Sequence, residues 1–135
     1  MIREGQIVLF AFPQTEQAAG KLRPALVLRR SPGPHDDWLI CMISSQLRHE
    51  LPGVDEVIRR TDNDFVQTGL KLTSVIRATR LAIVAADTLE GTIGTLADDR
   101  LNRIRQYLAE WISGVPSASL ARRREKAEQP PDRDK

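Results

Sequence analysis

Three short stretches place basic or hydroxyl side chains where an apolar run begins, ends or is interrupted. Gly20-Lys21-Leu22-Arg23-Pro24 sets an arginine at the close of a glycine-containing loop, just before a run that Pro24 helps to start. Ile43-Ser44-Ser45-Gln46 puts two hydroxyls and an amide at the exit of a second run, and Ser74-Val75-Ile76-Arg77 carries an arginine within a third. Cations and hydroxyls so placed can act on an anion. Equally, Ser-Ser-Gln is ordinary turn chemistry, Arg23 alone is an ordinary surface arginine, and Arg77 suits a cross-strand ion pair. His35 and His49 are single histidines in loop-like sequence; either is available as a general acid or base, and either fits a solvated loop.

Other chemistries are excluded by inventory. No glycine-rich turn runs into Lys-Ser/Thr, and Gly91-Thr92-Ile93-Gly94 lacks the third glycine and the strand-to-helix setting of a dinucleotide site. Neither histidine is paired at helical spacing with a glutamate, so neither metal nor cofactor is expected. Cys41 is the single cysteine and can form neither an internal disulfide nor a zinc cluster. Met1-Ile2-Arg3-Glu4-Gly5 does not begin a secretory leader, and no run approaches the ~18 apolar residues of a membrane span. A soluble, cytoplasmic protein with no membrane partner is expected.

With 20 Lys+Arg against 18 Asp+Glu, the 135 residues carry a formal charge of +2 and a pI of about 9.0. Residues 1–114 are formally neutral, however, and the surplus lies in 115–135. Nucleic-acid binding would therefore depend on where Arg23, Arg77 and their neighbours gather in space, not on the total.

The elements that must hold these groups are mostly short strands. Ile7–Phe12 is continuously apolar and ends at Pro13; Ala25–Leu28 follows Pro24; Trp38–Ile43 follows a Ser-Pro-Gly-Pro-His-Asp-Asp loop; Ser74–Val84 mixes β-branched residues with Arg77, Thr79 and Arg80. A weaker strand is expected within Asp55–Arg60. Arg29-Arg30 and Arg59-Arg60 read as solvated edges, and Trp38, Trp111 and the phenylalanines as core. Ala97, Leu101, Ile104, Leu108, Trp111 and Ile112 recur at helical spacing, with Asp99, Arg100, Arg103 and Glu110 opposite. Thr95 is placed to cap this helix and Gly114 to end it. The expected fold is mainly β with a C-terminal α-helix, a small barrel or sandwich over 1–114. The charged segment 115–135 has too little apolar surface to order itself.

The order Gly5-Gln6-Ile7-Val8, Phe12-Pro13, Arg23-Pro24-Ala25-Leu26-Val27-Leu28 and Ile43-Ser44-Ser45-Gln46 resembles the PemK/MazF family of toxin endoribonucleases. Thr68-Gly69-Leu70-Lys71, Ser74-Val75-Ile76-Arg77 and Ile93-Gly94-Thr95-Leu96 are similar to its second half. The resemblance implies a compact SH3-like barrel, a homodimer, and metal-independent cleavage of single-stranded RNA that a cognate antitoxin holds in check. If the RNA's own 2′-hydroxyl attacks the adjacent phosphate, the protein must supply a base, a proton for the departing 5′-oxygen, and cations around the developing charge. Arginine suits the last role, since its planar fork holds two phosphate oxygens and stays protonated. By resemblance Arg23 and Arg77 are catalytic arginines and Ser44 is the hydroxyl donor, where the family usually has threonine. Lys21, Ser45, Gln46, Arg48 and Thr79 are then the RNA-binding residues beside them.

Two departures from the family pattern bear on the base. Thr79 stands where one branch carries a carboxylate, which leaves Glu16, Glu50 or His49 to serve. In the loop Gln14–Leu22 the Glu16-Gln17 pair lies two positions early. These departures keep two alternatives in view: a degenerate relative that only binds nucleic acid or antitoxin, and a non-enzymatic gyrase poison of the CcdB type, which shares the fold.

Overall fold

The computed structural model describes residues 1–11 and 21–114; the loop holding Glu16 and the 115–135 tail lie outside the described residues. Among the described residues, six antiparallel strands form one sheet: β1 (Gln6–Phe10), β2 (Arg23–Arg30), β3 (Asp37–Ser44), β4 (Glu56–Ile58), β5 (Ser74–Ala85) and β6 (Thr92–Thr95), in the order β4-β5-β3-β2-β1-β6. One helix, α1 (Asp98–Ser113), follows. Register shifts interrupt the β1/β6, β2/β3 and β3/β5 ladders. Such bulges bend and twist strands, and the sheet is a curled half-barrel rather than a flat array. This is the mainly β, single-helix architecture expected. No helix among the described residues is long and apolar enough to cross a membrane.

Alternation along the strands sorts the apolar side chains into two layers. Ile7, Leu26, Leu28, Cys41, Ile43, Ile76 and Ala78 face inward and pack with Leu101, Ile104, Tyr107 and Leu108 of α1. Val8, Ala25, Val27, Trp38 and Ile40 form a second buried cluster on the other face. Because both faces carry buried residues, the strands read as nearly continuous apolar runs.

Several boundaries differ from expectation. β1 stops at Phe10 rather than Phe12, and β2 starts at Arg23, which thereby becomes a strand residue. β6 went unseen because Thr-Ile-Gly-Thr has neither the length nor the alternation of a strand; it contains Thr95, so that residue cannot cap α1. The N-cap is Ala97, which makes no side-chain capping bond, and Asp98 and Asp99 place negative charge in the first turn instead. Gly114 ends the helix as expected, at φ 72°, its N–H reaching the carbonyls of Glu110 and Trp111. Trp111 and Ile112 are exposed, since the helical stripe outruns the sheet it packs on, whereas Glu110 is buried and accepts from Gln106 Nε2.

The two glycine motifs of the second half meet each other. A Cβ on Gly69 would lie 2.0 Å from the Ile93 carbonyl oxygen, and one on Gly94 would lie 2.3 Å from the Thr68 carbonyl carbon. The turn at Val66–Thr68 therefore sits directly on β6, closed by the Thr68 hydroxyl, which donates to the Phe65 carbonyl and accepts from Leu70 N–H.

Candidate active site

β1, β2, β3 and β5 bring the first candidates onto one face at one end of the sheet. Phe10 pairs with Arg23, Ala25 with Met42, Met42 with Arg77, and Ser44 with Val75. Opposed residues, and residues two apart, share a face; continuing the Ala25–Met42 register by two residues sets Arg23 beside Ser44. Arg23, Ser44 and Arg77, separated by 21 and 33 positions in the chain, thus project from the face that carries the Val8/Ala25/Val27 cluster.

The sheet changes register at this point. Cys41 opposes Leu81 while Met42 opposes Arg77, so Ala78, Thr79 and Arg80 bulge out of the β3/β5 ladder. The amide of Ala78, freed by the bulge, donates to Asp55 Oδ1 at 3.0 Å, and Asp55 Oδ2 accepts from Leu51 N–H at 3.0 Å. The buried Asp55 carboxylate thereby ties the Leu51–Asp55 turn to the bulge that carries Thr79 and Arg80. Burial, and after it the Asp55 charge, pushes the Cys41 thiol far above its usual range, which makes it an inert core group.

Beyond Ser44 the chain makes a single 3-10 turn, Leu47–His49, over the end of β5. Ser44 is buried, and its Oγ accepts from Gln46 N–H at 3.0 Å and lies 2.9 Å from His49 Nδ1. Arg48 Nη1 donates to Gln46 Oε1 at 2.6 Å. The structure therefore joins Ser44, Gln46, Arg48 and His49 in one hydrogen-bonded turn beside Arg77. Ser45, directly after Ser44, and Lys21, two residues before Arg23, are exposed, and Thr79 is half-buried in the bulge. Glu50 is half-buried next to His49, its N–H committed to the Leu47 carbonyl. His35 lies on the exposed loop before β3.

The electrostatics of this corner are one-sided. Desolvation lowers the His49 pKa from its ordinary value, and Arg77, Arg48 and Arg80 lower it further. Among the described residues, Arg23, Arg48, Arg77 and Arg80 make no ion pair, and Arg23 Nε is buried with no hydrogen-bond partner. The cross-strand ion pair that would give Arg77 a purely structural part is not formed among those residues. The arginines elsewhere differ: Arg29 and Arg30 reach Glu4 and Asp36 at 3.9 and 3.6 Å, and Arg105 bonds to Glu4. Arg80 and Asp55 are the residues that sequence reasoning missed, since a bulge depends on register between strands far apart in the chain. The site offers unneutralised guanidinium groups, a positioned hydroxyl and an imidazole to an anionic ligand.

Residues 3–112 match the family described as PemK-like, MazF-like toxin of type II toxin-antitoxin system. Among solved structures, a Mycobacterium tuberculosis toxin, MazF-mt6, is similar with a TM-score of 0.53 and 21% identity, over 81% of this chain and 93% of that one. An endoribonuclease in complex with its cognate antitoxin, from a mycobacterial species, gives a TM-score of 0.60 at 16% identity, over 87% and 99%. A further mycobacterial endoribonuclease gives 0.55 at 18%, over 84% and 92%. No curated protein matches the chain in sequence.

Proposed function

We propose, from the premise that the chain belongs to the PemK-like, MazF-like toxin family of type II toxin-antitoxin systems, that it is a metal-independent endoribonuclease acting on single-stranded RNA. The observation that carries this reading is the gathering of Arg23, Ser44 and Arg77 on one sheet face with no carboxylate paired to either arginine among the described residues. In the proposed reaction the RNA 2′-hydroxyl attacks the adjacent phosphorus, the bond to the 5′-oxygen breaks, and a 2′,3′-cyclic phosphate and a 5′-hydroxyl result. Arg23 and Arg77 hold the phosphate oxygens as charge builds on them, and the Ser44 hydroxyl donates to the same group. Lys21, Ser45, Gln46, Arg48 and Thr79 line the approach and hold the strand. Bases are then recognised chiefly by polar loop groups on a splayed strand.

The same face is the proposed site of control. A flexible acidic segment of the cognate antitoxin lying across these arginines would mimic the strand's charge. The working unit is proposed to be a homodimer in the cytoplasm, checked by sedimentation equilibrium.

Incubation of the purified protein with mixed single-stranded RNA in excess EDTA tests the reading. Cyclic-phosphate ends are expected from the wild type and not from Arg23→Ala. A folded protein that cuts no RNA would leave binding or gyrase inhibition instead, and activity abolished by EDTA would refute the metal-free mechanism.

A further inference from the structure

We infer that His49 is the general base of the site, its Nδ1–H held by Ser44 and its Nε2 free to take the proton of the attacking 2′-hydroxyl. This assignment rests on the endoribonuclease reading above and fills the place left by Thr79.

With Ser44 donating to the phosphate as proposed above, its hydrogen-bond inventory selects the tautomer. A serine hydroxyl has one hydrogen and two acceptor positions. Gln46 N–H fills one acceptor position at 3.0 Å, and His49 Nδ1 sits 2.9 Å from the same oxygen. If the hydroxyl donated to Nδ1, its only hydrogen would be spent and none would remain for a phosphate. With Nδ1–H donating, both acceptor positions are filled, the hydroxyl keeps its hydrogen for the ligand, and Nε2 carries the free lone pair. One turn of chain thus aims a donor and a base at the same anion, each fixed by the other.

Desolvation and the surrounding charges bias the ring toward its neutral form. Arg77 and Arg80 act on it from β5 and Arg48 from its own turn; Arg23 stands on the same face at the start of β2, and Glu50 follows His49 directly. Desolvation and the three arginines favour the unprotonated imidazole, the form a base requires. In the step itself, Nε2 removes the 2′-hydroxyl proton as the bond from that oxygen to phosphorus forms. The bond to the 5′-oxygen breaks, this oxygen takes a proton from water, and the imidazolium returns its proton to solvent. No metal or redox partner enters the balance.

The competing carriers are less well placed. Thr79 offers a hydroxyl, a poor base at neutral pH. Glu50 has no hydrogen bond to Ser44, whereas His49 is attached to it directly.

Single-turnover cleavage of mixed single-stranded RNA between about pH 5 and 9 tests the assignment, with wild type, His49→Ala, His49→Gln and Arg80→Gln, each checked for native circular dichroism. Both His49 variants should lose roughly 10²- to 10⁴-fold in rate, the range of general-base catalysis. They should still bind an uncleavable 2′-deoxy analogue like the wild type. Added imidazole should restore part of the His49→Ala rate in proportion to its unprotonated fraction. The acid limb of the wild-type profile should fall below 6.5, the ordinary imidazole value, and move to higher pH in Arg80→Gln. Wild-type rates and an unchanged acid limb in His49→Ala, with Arg23→Ala inactive, would overturn the base while leaving the endoribonuclease standing. Loss of rate without imidazole rescue, and with the acid limb retained in His49→Gln, would reduce His49 to a structural support for Ser44. A wild type that cuts no RNA refutes both readings together.

Discussion

The Ser44 hydroxyl accepts the Gln46 amide and lies within bonding distance of His49, so two kinds of substitution there separate its duties. Ser44→Ala removes a positioned donor to the phosphate and, with it, the anchor of the imidazole; loss of one such donor should lower the cleavage rate by roughly 10²-fold or more. Ser44→Thr keeps the hydroxyl and should keep cleavage, read in the same single-turnover assay. A Ser44→Ala variant as fast as wild type would remove the hydroxyl from the mechanism. At this scale the sequence exposed residue types but not their assembly. Arg23, Ser44 and Arg77 were visible as candidates because each interrupts or borders an apolar run, and His49 because it is one of two histidines in loop-like sequence. What makes them a site is strand register together with the fold-back of Leu47–His49, and neither is written in local spacing. Arg80 gave no signal of its own, since its importance comes from a bulge defined by pairing with Cys41 and Met42.

Elements position these groups through a few contacts that local pattern does not reveal. Asp55 joins the Leu51–Asp55 turn to the β5 bulge through two backbone amides, yet in the sequence it is one acidic residue at the edge of a weak strand. Asp55→Ala leaves the buried Ala78 amide and the part-buried Leu51 amide without their acceptor and should cost about 2 kcal/mol of stability in urea unfolding, at about 1–3 kcal/mol for a buried orphaned group. The bulge arginines should lose their placement as well, so that the cleavage rate falls under conditions where the variant remains folded. The glycines of the second half are a sharper case. Their motifs were legible and their partnership was not: Gly94 is bare because the Thr68 backbone occupies the space its Cβ would need. Gly94→Ala must push the Val66–Thr68 turn off β6 and should destabilise the fold by about 3 kcal/mol, the upper end of ordinary overpacking. By contrast Gly91→Ala meets no atom within 4 Å, so its cost is limited to backbone strain at φ 127°. Thr95 teaches the opposite lesson: its capping chemistry was right for a helix start, but pairing with Gln6 in β1 takes precedence over local propensity.

Across the whole molecule, charge is neutralised at the helix and left bare at the site, which a net charge of +2 conceals. Glu56 of β4 and Asp62 and Asp64 of the turn after it are committed to α1. Arg100 bonds to Asp64 at 2.6 Å, to Asp62 at 2.8 Å, and to the Val57 carbonyl at 3.1 Å, while Glu56 lies 3.4 Å from Arg100 and 2.9 Å from Arg103. The Arg100 and Asp64 side chains are only 13% and 16% exposed, so their pairing lies between a weak surface bridge and a costly buried one. Removing Arg100 leaves Asp62 and Asp64 without their guanidinium partner, beside a Glu56 that keeps only Arg103. Arg100→Met should therefore lower stability at neutral pH by about 2 kcal/mol, while the cleavage rate of the folded variant stays at the wild-type level. The pH dependence has a definite sign. The Arg100 hydrogen bond holds the Asp64 carboxyl below its ordinary value of 3.8. A carboxyl depressed in the folded state contributes stability that is present above its unfolded pKa and is lost as pH falls through the lower folded value. The wild-type advantage over Arg100→Met should accordingly hold from neutral pH down to about pH 4 and shrink below it, read from urea midpoints at a series of pH values. An advantage independent of pH down to about pH 2 would mean that Arg100 acts through the packing of its stem rather than through its charge.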